Sequence, residues 1–124
     1  MRIVGGRLGG RRFDGPDGEG TRPTSERARE AISSALTARG LLRDARVLDL
    51  FAGTGALGFE ALSRGAVSLA CVEQDPKVAR ALVASAKKLG IADVTDVLTV
   101  DAFSAKLPRA LTPRVFDLVF TDPP

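Results

Sequence analysis

Four carboxylates sit where an α/β sheet exposes its reactive edge: Asp49, Glu73, Asp101 and Asp122, each just after an apolar run. The first lies at the mouth of a glycine-rich turn, Asp49-Leu50-Phe51-Ala52-Gly53-Thr54-Gly55-Ala56-Leu57-Gly58. Strand, glycine turn and helix in that order set bare backbone N–H groups and a helix N-terminus against a small ligand. Gly53-x-Gly55-x-x-Gly58 with an acid twenty residues on, Glu73, fits either a dinucleotide or S-adenosylmethionine (AdoMet). Asp49 discriminates. An acid at the mouth of the turn repels a pyrophosphate but attracts the sulfonium and ammonium of AdoMet. Phe51, Ala52, Thr54 and Gln74 flank these positions and complete the expected cofactor contacts.

Glu73 is expected to accept both ribose hydroxyls in a bidentate hydrogen bond. Asp75, two residues on, reads as a helix cap. Asp101 either accepts from the adenine amine, with Ala102 or Phe103 packing on the ring, or caps a short helix. The sequence stops on Thr121-Asp122-Pro123-Pro124. Two prolines fix φ and make a rigid turn. Such a turn can aim a carboxylate and a carbonyl at one planar exocyclic amine. Both accept hydrogen bonds, and both stabilise the positive charge that develops when the amine is alkylated. The bland alternative is a loop in which proline ends the strand.

Other chemistry is excluded by composition. No histidine is present, which removes Ser-His and Cys-His catalysis and His-based metal sites. One cysteine, Cys71, cannot build a thiolate zinc site or an internal disulfide, and it suits a reducing compartment. No metal is expected. No apolar run approaches a membrane span and no leader is visible, so a cytoplasmic protein is expected.

The elements that must position these groups alternate. Val47–Leu50, Ser68–Val72, Val97–Val100 and Val115–Phe120 read as strands. Ala56–Arg64 and Pro76–Leu89 read as helices, the second capped by Asp75 and closed by Gly90, and Phe103–Ala110 reads as a short helix or turn. The fold class is α/β: a Rossmann-like, doubly wound, mostly parallel sheet. Upstream, Arg2-Ile3-Val4 and Arg11-Arg12-Phe13 can pair as a hairpin, with Gly15-Pro16-Asp17-Gly18 as the next loop. Residues 24–39 read as a helix with one apolar stripe, Ala28, Ala31, Ile32, Ala35 and Leu36. Two parts follow: a basic extension over 1–40 and a cofactor-binding domain over 41–124. The sheet has an open apolar edge after its last strand, so the chain reads as the N-terminal portion of a longer protein.

The 124 residues carry a net charge of +3, unevenly spread. Arg2, Arg7, Arg11 and Arg12 fall in the first twelve residues with no acid among them, which suits a phosphate-rich partner or a solvated tail. The charged faces around Arg22, Arg27 and Arg29 read as solvated helix surface, with contact to phosphates or to the cofactor carboxylate as the alternative.

In combination, Met1-Arg2-Ile3-Val4-Gly5-Gly6, Arg22-Pro23-Thr24-x-x-x-x-Arg29-Glu30, Leu48–Gly58, Glu60-Ala61-Leu62-Ser63-Arg64-Gly65-Ala66, Val72-Glu73 and Asp122-Pro123-Pro124 resemble the bacterial 16S ribosomal RNA guanine-N2 methyltransferase family. The resemblance covers nearly the whole chain. It implies a class I AdoMet-dependent methyltransferase acting on N2 of a guanine in 16S ribosomal RNA, presented within the small ribosomal subunit. It places Asp49, Gly53 and Gly55 in the cofactor loop, Glu73 on the ribose, Asp101 on the adenine side, and Asp122, Pro123 and Pro124 in the catalytic turn. Thr24 then lies near the methionine end of the cofactor, and Arg2, Arg7, Arg11, Arg12 and Arg22 on the RNA. The family's turn continues with Phe or Tyr after the second proline, so little turnover is expected of a chain ending at Pro124. A monomer is expected. A DNA amino-methyltransferase is the nearest alternative, ahead of a dinucleotide oxidoreductase or a non-catalytic RNA-binding module.

Overall fold

The computed structural model describes residues 1–15 and 24–123. Four short strands, β1 (Arg46–Asp49), β2 (Ser68–Val72), β3 (Thr95–Leu98) and β4 (Leu118–Phe120), form one parallel sheet in the order β3-β2-β1-β4. The reversal of order beside β1 makes this a doubly wound sheet with its switch point between β1 and β4. All four strands point the same way, so their carboxyl ends, and the acids that follow them, share one edge.

Two strands begin elsewhere than their apolar runs suggest. β3 starts at Thr95 because β2 offers it a ladder from Leu69 onward, and an edge strand tolerates the exposed Asp96. β4 starts at Leu118, opposite Val47, because β1 supplies no partner earlier than Arg46. The Arg46 guanidinium forks onto Asp117 at 3.0 Å through each of two nitrogens, which holds that carboxyl down at about 2.

Helices α1 (Glu26–Ala38), α2 (Ala56–Ser63), α3 (Pro76–Lys88) and α4 (Leu107–Leu111) connect and cover the sheet. The α3 cap is as expected: Asp75 accepts from Lys77 N at 2.9 Å and Pro76 opens the helix. Nearly all of α2 is buried, and Gly58 faces the sheet so closely that a Cβ there would lie 2.6 Å from both methyls of Leu69. The expected N-terminal hairpin is reduced to one antiparallel bridge, Arg2 with Arg12. Even so, Ile3, Leu8 and Phe13 enter the same core as Phe59, Leu62 and Leu82, with Phe13 edge-on to Phe59 at 5.3 Å.

Helix α1 departs from its pattern. Of its expected stripe, Ala28, Ala31, Ile32 and Ala35 are exposed and only Leu36 packs, half-buried, against the core, while Arg29 and Ser33 are the buried residues. Arg29, which reads from sequence as solvated surface, is 1% exposed and donates through Nε to Glu60 Oε1 at 3.4 Å. Its Nη2 donates to the Arg2 carbonyl, while Nη1 has no partner among the described residues. Glu60, fully buried, also accepts from Val4 N and Gly5 N at 2.9 Å each and from Arg64 Nε at 2.9 Å. Burial pushes the Glu60 carboxyl up, but those donors outweigh it and hold it below its ordinary value. A buried ion pair thus turns α1 and pins the N-terminal segment to α2.

Candidate cofactor and methyl-acceptor site

The glycine turn hangs between strands. Ala52 N donates to the Val72 carbonyl at 3.1 Å, and Leu50 N to the Phe120 carbonyl at 3.0 Å, which ties the turn to the carboxyl ends of both β2 and β4. Gly55 N closes the turn on the Ala52 carbonyl at 2.8 Å. Gly55 sits at φ +84°, where a Cβ would lie 2.6 Å from side-chain atoms of Leu82 and Phe59, so both conformation and space demand glycine. Thr54 is buried and its Oγ1 accepts from Ala56 N at 3.3 Å at the start of α2.

Asp49 is 3% exposed, and its Oδ1 accepts from Phe51 N at 3.2 Å. Burial drives its carboxyl up to about 6; the Phe51 N–H opposes this, and the charges of Asp122 and Glu73 add to it. Glu73 stands at the end of β2 with Oε1 accepting from Gly53 N at 3.3 Å and Oε2 from Asp75 N at 2.8 Å. Its carboxylate is therefore held against the glycine turn, and each oxygen keeps acceptor capacity. Asp101 Oδ1 accepts from Phe103 N at 2.9 Å within a local turn; the short helix expected over Phe103–Ala110 begins only at Leu107, after Lys106, so Asp101 caps no helix. Ala102 is half-buried behind it and Gln74 is exposed.

Two contacts could not be read from the sequence, although Phe51 and Phe103 are both expected near the cofactor. Phe103 is 82% exposed and its ring meets that of half-buried Phe51 at 5.7 Å between centroids, making an aromatic surface beside Asp101. Phe103 is expected from sequence to pack on an adenine ring; its pairing with Phe51 is what the fold adds. Second, Thr24 Oγ1 donates to Asp122 Oδ2 at 3.1 Å across 98 residues of sequence. Nothing local could reveal that pairing. Asp122 and Pro123 are exposed; Pro124 and Arg22 lie outside the described residues, as does most of the expected 15–18 loop.

Among the described residues, Asp49, Glu73, Asp101 and Asp122 take part in no ion pair. An acidic edge with no ion-paired cation among the described residues suits a cationic ligand and opposes a pyrophosphate. The donor set fits AdoMet on that ground, with Glu73 for hydroxyls, the glycine turn for close backbone approach and the phenylalanines for an apolar ring.

The arginines are not gathered here. Arg7 N donates to the Ser63 carbonyl at the last residue of α2, and Arg11 Nη1 to the Leu89 carbonyl just past α3. Both helices run away from the carboxyl edge, and the 13 residues of α3 span about 20 Å. Arg7 and Arg11 therefore sit toward the far end of the helical layer. Arg2 is paired with Glu26, and Arg12 is exposed beside it.

A doubly wound parallel sheet with a glycine turn after β1 and acids at successive strand ends defines the Rossmann-like fold of class I methyltransferases. The chain belongs to the family described as Conserved hypothetical protein 95, which it matches over residues 1–124. It is 40% identical over 124 residues to the Escherichia coli K12 protein named Ribosomal RNA small subunit methyltransferase D, covering all of this chain and 60% of that one. The solved structure of Escherichia coli yhhF superimposes with a TM-score of 0.82 at 36% identity, over all of this chain and 64% of that one. A more distant likeness, the Trypanosoma brucei PRMT1 enzyme-prozyme complex with AdoHcy, gives a TM-score of 0.51 at 28% identity over 57% of this chain and 22% of that one. The chain thus spans about 60% of the length of its curated Escherichia coli relative.

Proposed function

We propose that the protein binds AdoMet along the carboxyl edge of its sheet and methylates the exocyclic N2 of a guanine in 16S ribosomal RNA. The observation that carries this reading is the buried Asp49, without a counter-charge among the described residues, at the mouth of the glycine turn and facing Asp122 of the Asp-Pro-Pro turn. The ribosomal RNA relative supports the substrate, and the AdoHcy complex of the distant relative supports the cofactor.

When bound, the cofactor supplies an electrophilic methyl on a sulfonium, and transfer to an amine releases one proton. The chain's own residues do the rest. Asp49, with the backbone of Phe51, Ala52, Gly53, Thr54 and Gly55, holds the charged amino-acid end. Glu73 and Gln74 take the ribose, and Asp101 with Ala102 takes the adenine. Asp122 and the Pro123 carbonyl accept the two N–H bonds of the target amine, fixing its lone pair on the methyl carbon and stabilising the charge that develops on nitrogen. No histidine base is needed if the proton leaves to water. The target base must leave its stack to reach this edge. Arg2, Arg7, Arg11, Arg12 and Arg22 serve phosphates. Because Arg7 and Arg11 lie toward the far end of the helices, one substrate touching them and Asp122 must be extended, which favours a large folded RNA in the small subunit. The protein acts in the cytoplasm as a monomer.

The test is transfer of labelled methyl from AdoMet by the full-length protein to unmethylated small subunits, naked 16S RNA and duplex DNA, with Asp122→Ala as control. Label on guanine that disappears in the variant is the expected result. Label on DNA adenine or cytosine would replace the substrate, and absence of label despite AdoMet binding would end the RNA reading.

A further inference from the structure

We propose that Thr24 is a positioning residue for the transfer turn: its hydroxyl holds Asp122 Oδ2 so that Oδ1 is left to the target amine. The inference rests on the role given to Asp122 above, and it gives Thr24 a task other than cofactor contact.

Asp122 lies two residues beyond β4, on an exposed stretch of chain. The backbone is fixed as far as Phe120, whose carbonyl accepts from Leu50 N. Beyond that point the carboxylate is free to turn about χ1 and χ2 unless something holds it. A carboxylate that must first be ordered loses the benefit of preorganisation. The hydrogen bond from Thr24 Oγ1, at 3.1 Å, supplies that hold. It occupies one oxygen of two, and a carboxylate has about four acceptor positions, so acceptance from an amine is not displaced.

Thr24 is itself held. Ser25, the next residue, caps α1 by accepting from Ala28 N at 3.1 Å. The first turn of α1 is tied down twice more, by Glu26 to Arg2 and by Arg29 to fully buried Glu60. Glu60 belongs to α2, the helix that the glycine turn launches. Asp122 and the turn that would hold the cofactor are thereby referred to one rigid body: Asp122 through Thr24, α1 and the Arg29–Glu60 pair, the cofactor turn through α2 directly. This accounts for a buried charge pair in a helix most of whose apolar stripe is left outside.

The experiment compares Thr24→Val, which keeps shape and loses the hydroxyl, with Thr24→Ser, which keeps the hydroxyl, in the full-length protein. Methyl-transfer kcat and KM for small subunits are measured beside AdoMet Kd by calorimetry. Thr24→Val is expected to lower kcat about tenfold or more with AdoMet Kd within about twofold, and Thr24→Ser to retain most of the rate. An unimpaired Thr24→Val overturns the inference alone. So does a loss confined to AdoMet Kd, which would make Thr24 a cofactor contact, or a Thr24→Ser as slow as Thr24→Val. Wild-type protein that binds AdoMet and transfers no label overturns the proposed function, and the inference with it.

Discussion

Asp49→Asn should make the protein more stable and worse at binding its cofactor. Asp49 is nearly inaccessible, accepts from Phe51 N, and faces two further carboxylates instead of a cation. Its carboxyl is raised from 3.8 to about 6, chiefly by burial. A rise of that size corresponds to about 3 kcal/mol between the protonation states. The folded protein holds the proton more tightly than the unfolded chain. The stabilising contribution of the neutral acid is therefore full below pH 3.8 and is lost as the pH rises to about 6, above which the ionised group costs its full amount. Asparagine carries no charge at any pH, and its carbonyl oxygen can still accept from Phe51 N.

At pH 8, without AdoMet, Asp49→Asn should therefore raise the melting temperature by several degrees, up to about 12 °C if the whole of about 3 kcal/mol is recovered at roughly 4 °C per kcal/mol. The gap should narrow as the pH is lowered through 6 and close near pH 4. Differencing wild type and variant across the pH series by scanning calorimetry cancels the other carboxylates. Calorimetric titration with AdoMet should show the opposite order, with the variant weaker at pH 8 and wild-type affinity falling below pH 6. A variant no more stable than wild type at pH 8, or a gap that ignores pH, would refute the claim that Asp49 is an uncompensated buried charge.

Glu73→Gln should weaken AdoMet binding about tenfold, read by calorimetry, because a charge-assisted acceptor becomes a neutral one. Gly58→Ala should lower stability by about 1–3 kcal/mol in urea titration, since its Cβ would press on both Leu69 methyls inside the core; an unchanged midpoint would mean Leu69 can move aside. Glu60→Ala should cost about 3–5 kcal/mol by leaving Arg29 buried without its counter-charge, and should open the chain to trypsin at Arg7, Arg11 and Arg12; equal protection would show that the N-terminal segment is held by its apolar residues alone.

What can be read from sequence and what cannot divides along a physical line. β1 and β2 are recognisable because buried parallel strands are apolar throughout, and Asp49 and Glu73 follow as their strand ends. The starts of β3 and β4 are not legible in the same way, because hydrogen-bond partners, not hydrophobicity, set where an edge strand begins. The α1 stripe misleads for a related reason. Apolar periodicity identifies the helix but assumes that the apolar side is the buried one. In α1 the ion pair to Glu60 decides the rotation, and a pairing 31 residues apart leaves no periodic trace. The Thr24–Asp122 contact is invisible for the same reason, being defined only once α1 and β4 are placed.

The two buried carboxylates define the site more sharply together than either does alone. Glu60 and Asp49 are both acids inside the same small domain, and their surroundings are opposite. Glu60 has two arginines and two backbone N–H groups, and its carboxyl is held down. Asp49 has one backbone N–H and two neighbouring acids, and its carboxyl is pushed up. A domain with 18 basic residues had cations enough to neutralise both. Among the described residues none pairs with Asp49 or with the three acids that share its edge. The first arrangement is what a structural acid needs. The second leaves a negative site with no counter-charge among the described residues, and a sulfonium-bearing ligand is of the right sign to complement it.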